Sequence, residues 1–376
     1  MEGFFKIIFF LAYFRKVSTL YDGNADAVRL NKNNKQTGKN TCQIERSQEK
    51  MGNMFMRRIF LRNLSQNAGR QYEVVFPETV TKQIAFSDLP KNISIPPYAK
   101  YGLPQTLPDQ RPEIKSAEDI QKMKRACSLA KKVLQGAGAL VKPGVTTQTI
   151  DDYVFQTATE NGAYPSPLNY RNFPKSVCTS VNNCACHGIP DSRELVDGDI
   201  VNVDVTVFLV ILSYSVIVTI YFNFLNSYKD GFHGDCSKTY AVGNIDEKAQ
   251  KLIDVTEECL QIGIETCQPG RLYHEIGFRI EAHAQKHGFH VIPVFAGHGI
   301  GSYFHGPPDI YHVGNSYPGV MEPGVTFTVE PLLSEGTSQV AILEDDWTAV
   351  TIDHSRAAQA EHTVLITETG CEILTK

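Results

Sequence analysis

The spacing of apolar residues predicts a series of helices from Ser116 onward. Ser116 is suited to cap a helix and Asp119 lies where a capping box has its acidic residue, before apolar positions at helical spacing in 120–134. A second helix is predicted over 147–160 and ends at an Asn-Gly pair. A third is predicted over about 246–267. These lengths are typical of helices in a globular domain.

The helical pattern occurs twice. A Pro-Gly pair, three apolar helix positions and a closing glycine recur at the same spacing, as Pro143-Gly144, Ile150, Val154, Ala158 and Gly162 and again as Pro269-Gly270, Ile276, Ile280, Ala284 and Gly288. Strand-forming sequence follows each copy, at 176–182 and 200–207 after the first and at 291–296 and 325–330 after the second. A repeat of this length predicts two pseudo-symmetric ααββ halves of one α+β domain, with the active site between them.

Composition places the chain among globular proteins and excludes several classes. Its 376 residues are 42% hydrophobic and 20% charged, which is ordinary for a protein with a buried core. The net charge of -5 argues against nucleic acid as a partner, since such partners need a basic surface. The nine cysteines form no repeated CxxC pattern, so we expect reduced thiols and neither a disulfide framework nor a zinc finger.

Residues 1–70 are predicted to be an extension outside the catalytic domain. An apolar run near the start is too short to span a bilayer and could at most form the core of a signal peptide. From Met51 the sequence is rich in arginine, amphipathic and free of acidic residues until Glu73, as a mitochondrial presequence requires. We therefore expect a presequence that starts at Met51 or Met54 and a mitochondrial location. An unstructured basic tail on a cytoplasmic protein is the alternative.

The remainder of the chain divides at the first helix. Residues 71–115 contain seven prolines and predict an extended lead-in that lies along a domain. Residues 116–376 then form the catalytic domain, which contains an apolar, uncharged segment at about 208–227.

Acidic residues and histidines interrupt strand-like sequence where apolar residues would be expected. The strings VNVDVTV, GFHGDCSKTY, AGHGIGSYFHG, TFTVEP and QAEHTVLIT contain Asp204, Asp235, His298 with His305, Glu330 and Glu361, respectively. One buried carboxylate is compatible with a structural ion pair. Four carboxylates and an imidazole favour metal, because an unpaired buried charge is costly. This donor set suits Mn, Co, Fe or Zn, and four carboxylates can balance two divalent cations.

Seven strings together resemble the type I methionine aminopeptidases of peptidase family M24. They are, in order, HGIP, NVDVTV, HGD, GHGIG, FHG, TVEP and EHTV, within about residues 112–376. The string PSPLNYRNFPKSVCTSVNN at 165–183 resembles the mitochondrial branch. The resemblance implies a pita-bread (creatinase/aminopeptidase) fold around a dinuclear metal site, and removal of an N-terminal methionine that precedes a small residue. An Xaa-Pro aminopeptidase of the same fold is an alternative, as is a non-catalytic binding protein, although no ligand is lost here.

The same resemblance implies how the metal ligands are divided. Asp204 would hold the second ion, Asp235 and Glu361 would bridge both ions, and His298 and Glu330 would complete the first. The ions would be Co, Mn, Fe or Zn.

It also implies which residues contact the substrate. His187 would contact the scissile amide, His305 would donate to the developing oxyanion, and Glu330 would accept and return a proton. The pocket for the methionine side chain would be lined by Tyr170, Phe173, Cys178, Phe304 and Trp347. We expect a monomer without a membrane span, acting on the N-terminal methionine of polypeptides.

The segment at 208–227 is an insertion relative to the family spacing. Its hydropathy alone indicates a transmembrane helix. A spanning helix would separate its ends by ~30 Å, whereas Asp204 and Asp235 must share ions ~3.5–4 Å apart. We therefore expect a protruding β-hairpin or a mobile loop whose ends return together, with a retained intron as its origin. An isoform that this insertion inactivates is the remaining alternative.

Overall fold

The computed structural model describes residues 72–76, 84, 88–104, 107, 111–211 and 231–376. The expected presequence and residues 212–227 of the predicted insertion lie outside these residues. The helices in the described chain are α1 (Ala117–Ala139), α2 (Thr147–Glu160), a short 3-10 helix (Tyr170–Asn172), α3 (Glu247–Thr266) and α4 (His274–Lys286).

The strands follow the helices in two groups. They are β1 (Tyr164–Pro165), β2 (Cys178–Val181), β3 (Cys184–Cys186), β4 (Ile200–Val210), β5 (Gly231–Ala241), β6 (His290–Val291), β7 (Ala296–Gly299), β8 (Gly306–Tyr311), β9 (Thr326–Val329), β10 (Leu332–Ser334), β11 (Val340–Ile342), β12 (Ala349–Thr351), β13 (Ala357–Ile366) and β14 (Cys371–Ile373).

The predicted helices are confirmed, and Ser116 caps the first of them as expected. Asp119 N–H donates to the Ser116 hydroxyl at 3.2 Å, and Ser116 N–H donates to the Asp119 carboxylate at 3.2 Å, which completes the capping box. Asp246 caps α3 by accepting from the backbone N–H of Ala249 at 2.9 Å. Each cap satisfies backbone donors that the first turn of a helix leaves without a partner.

A large antiparallel sheet forms the centre of the molecule. Its main path runs in the order β1-β4-β5-β13-β9-β7-β8, and β2 pairs with β4. Every second residue of β4 faces the helices, and those buried there are Val201, Val203, Val205 and Val207. The alternate residues face the other side, because side chains along a strand point to opposite faces of the sheet.

The predicted repeat is confirmed as two helix pairs that cover two halves of the sheet. On α2, Ile150, Val154 and Ala158 are fully buried in the core of the first half. On α4, the equivalent residues Ile276, Ile280 and Ala284 are fully buried in the core of the second half. The fold is therefore the predicted α+β pita-bread architecture.

The glycines that close the two copies also adopt the same conformation. Gly162 has a φ of 76° and Gly288 a φ of 83°, just after α2 and α4. This left-handed conformation is one that glycine adopts without a Cβ penalty.

The strand predicted at 291–296 is wrong. Strand β6 ends at Val291, and Pro293 and Val294 form a turn before β7 begins at Ala296. Proline has no backbone N–H to donate to a neighbouring strand, which explains the interruption of pairing at this point.

The two strands around the predicted insertion form one long hairpin. Strand β4 continues through Phe208 to Val210, so the first residues of the segment 208–227 belong to the sheet. Val210 lies directly opposite Gly231, and Phe208 opposite His233. The ends of the intervening segment therefore meet, as expected. Among the described residues, no helix is both long and apolar enough to cross a membrane.

The described residues of the predicted lead-in contact the rest of the described chain at several points. The Tyr72 hydroxyl donates to the carbonyl of His354 at 2.9 Å, and Val75 N–H donates to the side-chain oxygen of Asn183 at 2.6 Å. Further along, the buried Tyr98 hydroxyl donates to the carbonyl of Ser166 at 2.7 Å.

Candidate metal centre and substrate pocket

Five neighbouring strands each bring one candidate ligand to the same face of the sheet. In sheet order, these are Asp204 on β4, Asp235 on β5, Glu361 on β13, Glu330 directly after β9, and His298 on β7. They lie on the face opposite the helices.

The strand register explains why the carboxylates share this face. Asp204 and Glu361 both lie opposite Ser237, one on each side of β5. Ser237 is two residues from Asp235 and therefore points to the same face. The pairing of His362 with Val329 brings Glu330 to the level of Glu361 by the same register.

The donor atoms converge. His298 Nε2 lies 3.8 Å from Asp235 Oδ2 and 3.8 Å from Glu330 Oε1. Asp235, His298 and Glu361 each offer a donor atom, and these three atoms lie within 4.8 Å of one another. All three residues are buried. The arrangement is thus compact enough for its members to share a small cation.

Burial raises the pKa values of the four carboxyl groups, and neighbouring carboxylates raise three of them further. Burial raises the pKa of Asp204 to about 7 and that of Glu330 to about 8. The pKa values of Asp235 and Glu361 are raised well above the usual range, first by burial and then by neighbouring carboxylates. Ionising all four groups together therefore requires compensating positive charge, which divalent cations supply.

Burial has the opposite effect on the pKa of the candidate histidine ligand. Burial lowers the pKa of His298 to about 4, so that its imidazole is neutral at pH 7 and can donate a lone pair. Its Nδ1 lies 3.2 Å from the carbonyl of Gly299, which leaves Nε2 directed toward Asp235 and Glu330. Four carboxylates and one neutral imidazole fit a divalent metal site.

Neighbouring polar side chains hold the carboxylates in place, and sequence reasoning missed them. The Thr206 hydroxyl donates to Asp235 Oδ1 at 2.6 Å. Glu330 accepts from the Thr328 hydroxyl at 3.0 Å and from Gln359 Nε2 at 3.0 Å. The sequence offered one clue to these residues. They alternate with apolar residues on the same strands as the ligands, so they face the same side of the sheet. Such contacts orient metal ligands and tune their basicity.

The residues predicted to line a pocket lie beside Asp204. Cys178 is the cross-strand partner of Asp204 on β2, so it points to the same face. The Phe173 and Trp347 rings meet edge to face at 5.1 Å, and both pack with Cys178.

The other two predicted pocket residues belong to a second cluster that also contacts Trp347. Tyr170 and Phe304 have ring centroids 4.9 Å apart, and Trp347 packs against their cluster as well. The structure therefore brings all five predicted pocket residues together around Trp347, next to the ligands.

The two remaining histidines lie at the edge of this region. His305 lies between Tyr170 and His298, with ring centroids at 5.0 and 4.0 Å, and is exposed at the surface of the cleft. His187 contacts Trp347 at 5.5 Å and has an uncommon positive φ of 55°. Such strain is frequent at functional sites. Burial lowers the pKa of His187 to about 4.

An aromatic stack behind the pocket was also missed by sequence reasoning. His233 stacks on Phe304 at 5.3 Å and on Tyr98 at 6.2 Å, and its Nδ1 lies 2.9 Å from the Ser166 hydroxyl. His233 was detectable, because it lies two residues before Asp235 on β5 and so faces the same side. Tyr98 belongs to the lead-in and carried no such signal. Both line a small cavity together with His305.

Comparison with known proteins agrees with this geometry. The model of metallopeptidase family M24 matches residues 121–224 and 217–368, two ranges that meet inside the apolar segment. The chain belongs to this family. Membership implies divalent metal ions, which the donor set described above can accommodate. It also makes the protein a metalloaminopeptidase, given the relatives it resembles.

Those relatives are methionine aminopeptidases. The chain is 50% identical over 290 residues to methionine aminopeptidase 1B, chloroplastic, of Arabidopsis thaliana, covering 77% of this chain and 72% of that protein. It is 48% identical over 288 residues to methionine aminopeptidase 1D, mitochondrial, of Danio rerio, covering 77% and 79%. The crystal structure of methionine aminopeptidase from Rickettsia prowazekii matches with a TM-score of 0.64 and 38% identity, covering 71% of this chain and 100% of that one.

Proposed function

We propose that this M24 enzyme removes the N-terminal methionine from polypeptides whose second residue is small. One observation carries the proposal: five side chains able to ligate metal, brought together by five adjacent strands, lie beside a cluster of aromatic rings and a thiol. The relatives named above, all methionine aminopeptidases, support the same reaction.

Two divalent cations are proposed to occupy the ligand cluster, with Co, Mn, Fe and Zn as the candidates. Asp204 would hold one ion, His298 and Glu330 the other, and Asp235 and Glu361 would lie between them. Two such ions balance the charge of the four carboxylates, which otherwise repel one another. When bound, they supply Lewis-acid polarisation of the substrate carbonyl and a water of lowered pKa.

Glu330 is the proposed proton carrier. Its carboxyl group is held by Thr328 and Gln359 and lies within 3.8 Å of His298. Burial raises the pKa of this carboxyl group to about 8, so its proton affinity is higher than that of a glutamate in solvent. A group poised in this way can accept a proton and return it to the leaving amine.

The two cleft histidines are proposed to contact the scissile bond. Although part of His305 is exposed, its ring packs against Tyr170, Phe304 and His298. This desolvation and then the neighbouring His298 lower the pKa of His305 well below its usual value, so its imidazole is neutral. A neutral ring has one N–H, which can donate to the developing oxyanion. His187, whose ring lies 5.5 Å from that of Trp347, would contact the amide side of the bond.

The pocket chemistry suits methionine. Tyr170, Phe304, Phe173 and Trp347 offer ring edges and faces, and Cys178 adds a polarisable sulfur. A flexible thioether fills irregular apolar space and makes favourable contacts with aromatic rings. A proline-directed aminopeptidase needs no such pocket for its first residue, and the curated relatives do not favour that alternative.

A mitochondrial location is also proposed. It is supported by the Arg-rich sequence that starts at Met51 or Met54 and by the mitochondrial relative. Imaging of a fluorescent protein fused to residues 51–104 would test it, and cytoplasmic fluorescence would contradict it.

Peptide hydrolysis tests the activity. We expect the metal-loaded protein to release methionine from Met-Ala-Ser, to act poorly on Met-Glu-Ser and to leave Ala-Pro-Ser intact. The assay should be repeated with Mn, Co, Fe and Zn on protein first stripped of metal. Cleavage of Ala-Pro-Ser alone would instead establish the proline-directed alternative.

A further inference from the structure

We propose that Glu258, His283 and His287 form a second site for a divalent transition-metal ion such as Zn²⁺, on the outer surface where α3 packs against α4. These helices cover the face of the sheet opposite the carboxylates described above. The site is therefore separate from the candidate metal centre and does not depend on the proposed activity.

Two helices supply the three donors. His283 belongs to α4 and His287 is the residue that caps its C-terminal end, one helical turn later. Residues four positions apart lie on the same helix face. Glu258 comes from the neighbouring α3 and receives a hydrogen bond of 2.7 Å from His283 Nε2.

The donor atoms are already close to coordination distance. One atom from each residue lies within 4.8 Å of the others, and the two imidazole centroids are 4.6 Å apart. Ligands ~2.0–2.2 Å from a zinc ion in tetrahedral geometry lie ~3.5 Å from one another. The side chains are partly exposed, so small rotations about their χ angles can close this gap without moving a helix.

The helices themselves are firmly packed beneath the site. Cys259, next to Glu258, is fully buried and donates to the carbonyl of Ile280 on α4. One turn further along α3, Gly263 lies so close to Ile280 that a Cβ there would meet it at 2.9 Å. Ligands on rigid elements lose little conformational entropy when they bind an ion.

Charge at this position favours a cation. The C-terminal end of α4 carries the partial negative charge of its last carbonyl groups, and Glu258 adds a full charge. Two lysines oppose this preference: Lys286 lies in the same last turn of α4, and Lys251 donates to the backbone carbonyl of His287 at 3.2 Å. Within the described chain, the ring nitrogens of His287 make no hydrogen bond.

Zinc binding to the full protein tests the proposal. Metal-free wild type and a His283→Ala, His287→Ala variant would be titrated with Zn²⁺ by equilibrium dialysis and elemental analysis. We expect the variant to bind one equivalent fewer at micromolar Zn²⁺ while its methionine release is unchanged. A matched His274→Ala, His290→Ala variant, altered at the two ends of the same region, should bind as wild type does. Equal zinc binding by all three proteins would overturn the proposal.

A second measurement needs no variant. Modification of histidines by diethyl pyrocarbonate can be followed residue by residue with mass spectrometry. Zn²⁺ should slow modification of His283 and His287 and leave the rates at His274 and His290 unchanged. Unprotected His283 and His287 at saturating Zn²⁺ would contradict the proposal, whatever the variants do.

Discussion

Asp204 lies on β4 directly across from Ser237, only two residues along β5 from Asp235, although the whole of 205–234 separates the two aspartates in the sequence. The hairpin formed by β4 and β5 creates this relationship. It places one carboxylate on each strand, facing the same side, and brings together the first two of the five candidate ligands.

Replacing Asp235 with asparagine tests whether this residue binds metal, because the substitution keeps the volume of the side chain and removes its charge. Asparagine resembles the protonated acid, the form that burial favours here, and its oxygen can still accept from Thr206. We expect metal affinity and methionine release to fall by at least roughly 100-fold, beyond the effect typical of outer-shell changes. The melting temperature without metal should stay the same or rise. An Asp152→Asn variant on the exposed face of α2 provides the control.

Measuring both activity and the metal-free melting temperature distinguishes a loss of metal binding from a loss of folding. A variant that lost activity only because it unfolded would melt at a lower temperature without metal. Wild-type metal content in Asp235→Asn would contradict the assignment of this residue as a ligand.

Gln359 should tune metal binding through Glu330. Its side-chain amide donates to Glu330 Oε2 at 3.0 Å, and methionine at this position keeps much of the side-chain length while removing the donor. We expect Gln359→Met to weaken metal affinity about 10- to 100-fold. Competition with a chromogenic chelator measures the metal affinity. The control is Gln250→Met, at an exposed position of α3. Unchanged affinity would show that Glu330 is held well enough by Thr328 alone.

Tyr98 should couple the lead-in to the pocket. Its ring meets Tyr170 edge to face at 5.0 Å, and its hydroxyl donates to the Ser166 carbonyl. Tyr98→Phe should cost about 1 kcal/mol of unfolding free energy and keep KM near wild type. Tyr98→Ala should cost ~3–5 kcal/mol and raise KM for methionyl peptides, because Tyr170 loses its support.

Denaturant unfolding and steady-state kinetics measure the two effects separately. An unaltered KM in folded Tyr98→Ala would mean that the lead-in stabilises the domain without shaping the pocket.

The apolar segment should be dispensable. Because Val210 lies directly opposite Gly231, residues 211–230 can be replaced by Asn-Gly, the two-residue sequence that tight hairpins prefer. We expect this shortened protein to bind metal and release methionine at least as well as the full chain, with less aggregation.

A longer deletion, of 208–230, is the matched comparison. It also removes Phe208, which is 1% exposed and contacts His233 at 4.8 Å, so activity should be lost. Inactivity of the shorter deletion would show that the segment is needed.

Much of this protein could be predicted from local sequence. Helical spacing and capping residues determined α1, α2 and α3, and the repeat predicted that Ile150 and Ile276 would occupy equivalent buried positions. The string VNVDVTV likewise identified Asp204 as an acidic residue within a strand. These features depend on residues a few positions apart, so the sequence alone carries them.

The tertiary structure decided which residues are neighbours across the sheet. Strand β13, near the end of the chain, lies between β5 and β9, and this order places Glu361 between Asp235 and Glu330. Pairing between distant strands depends on packing and register over the whole domain, which local patterns do not specify. For the same reason, only the structure revealed Tyr98 behind the pocket and Glu258 beside His283.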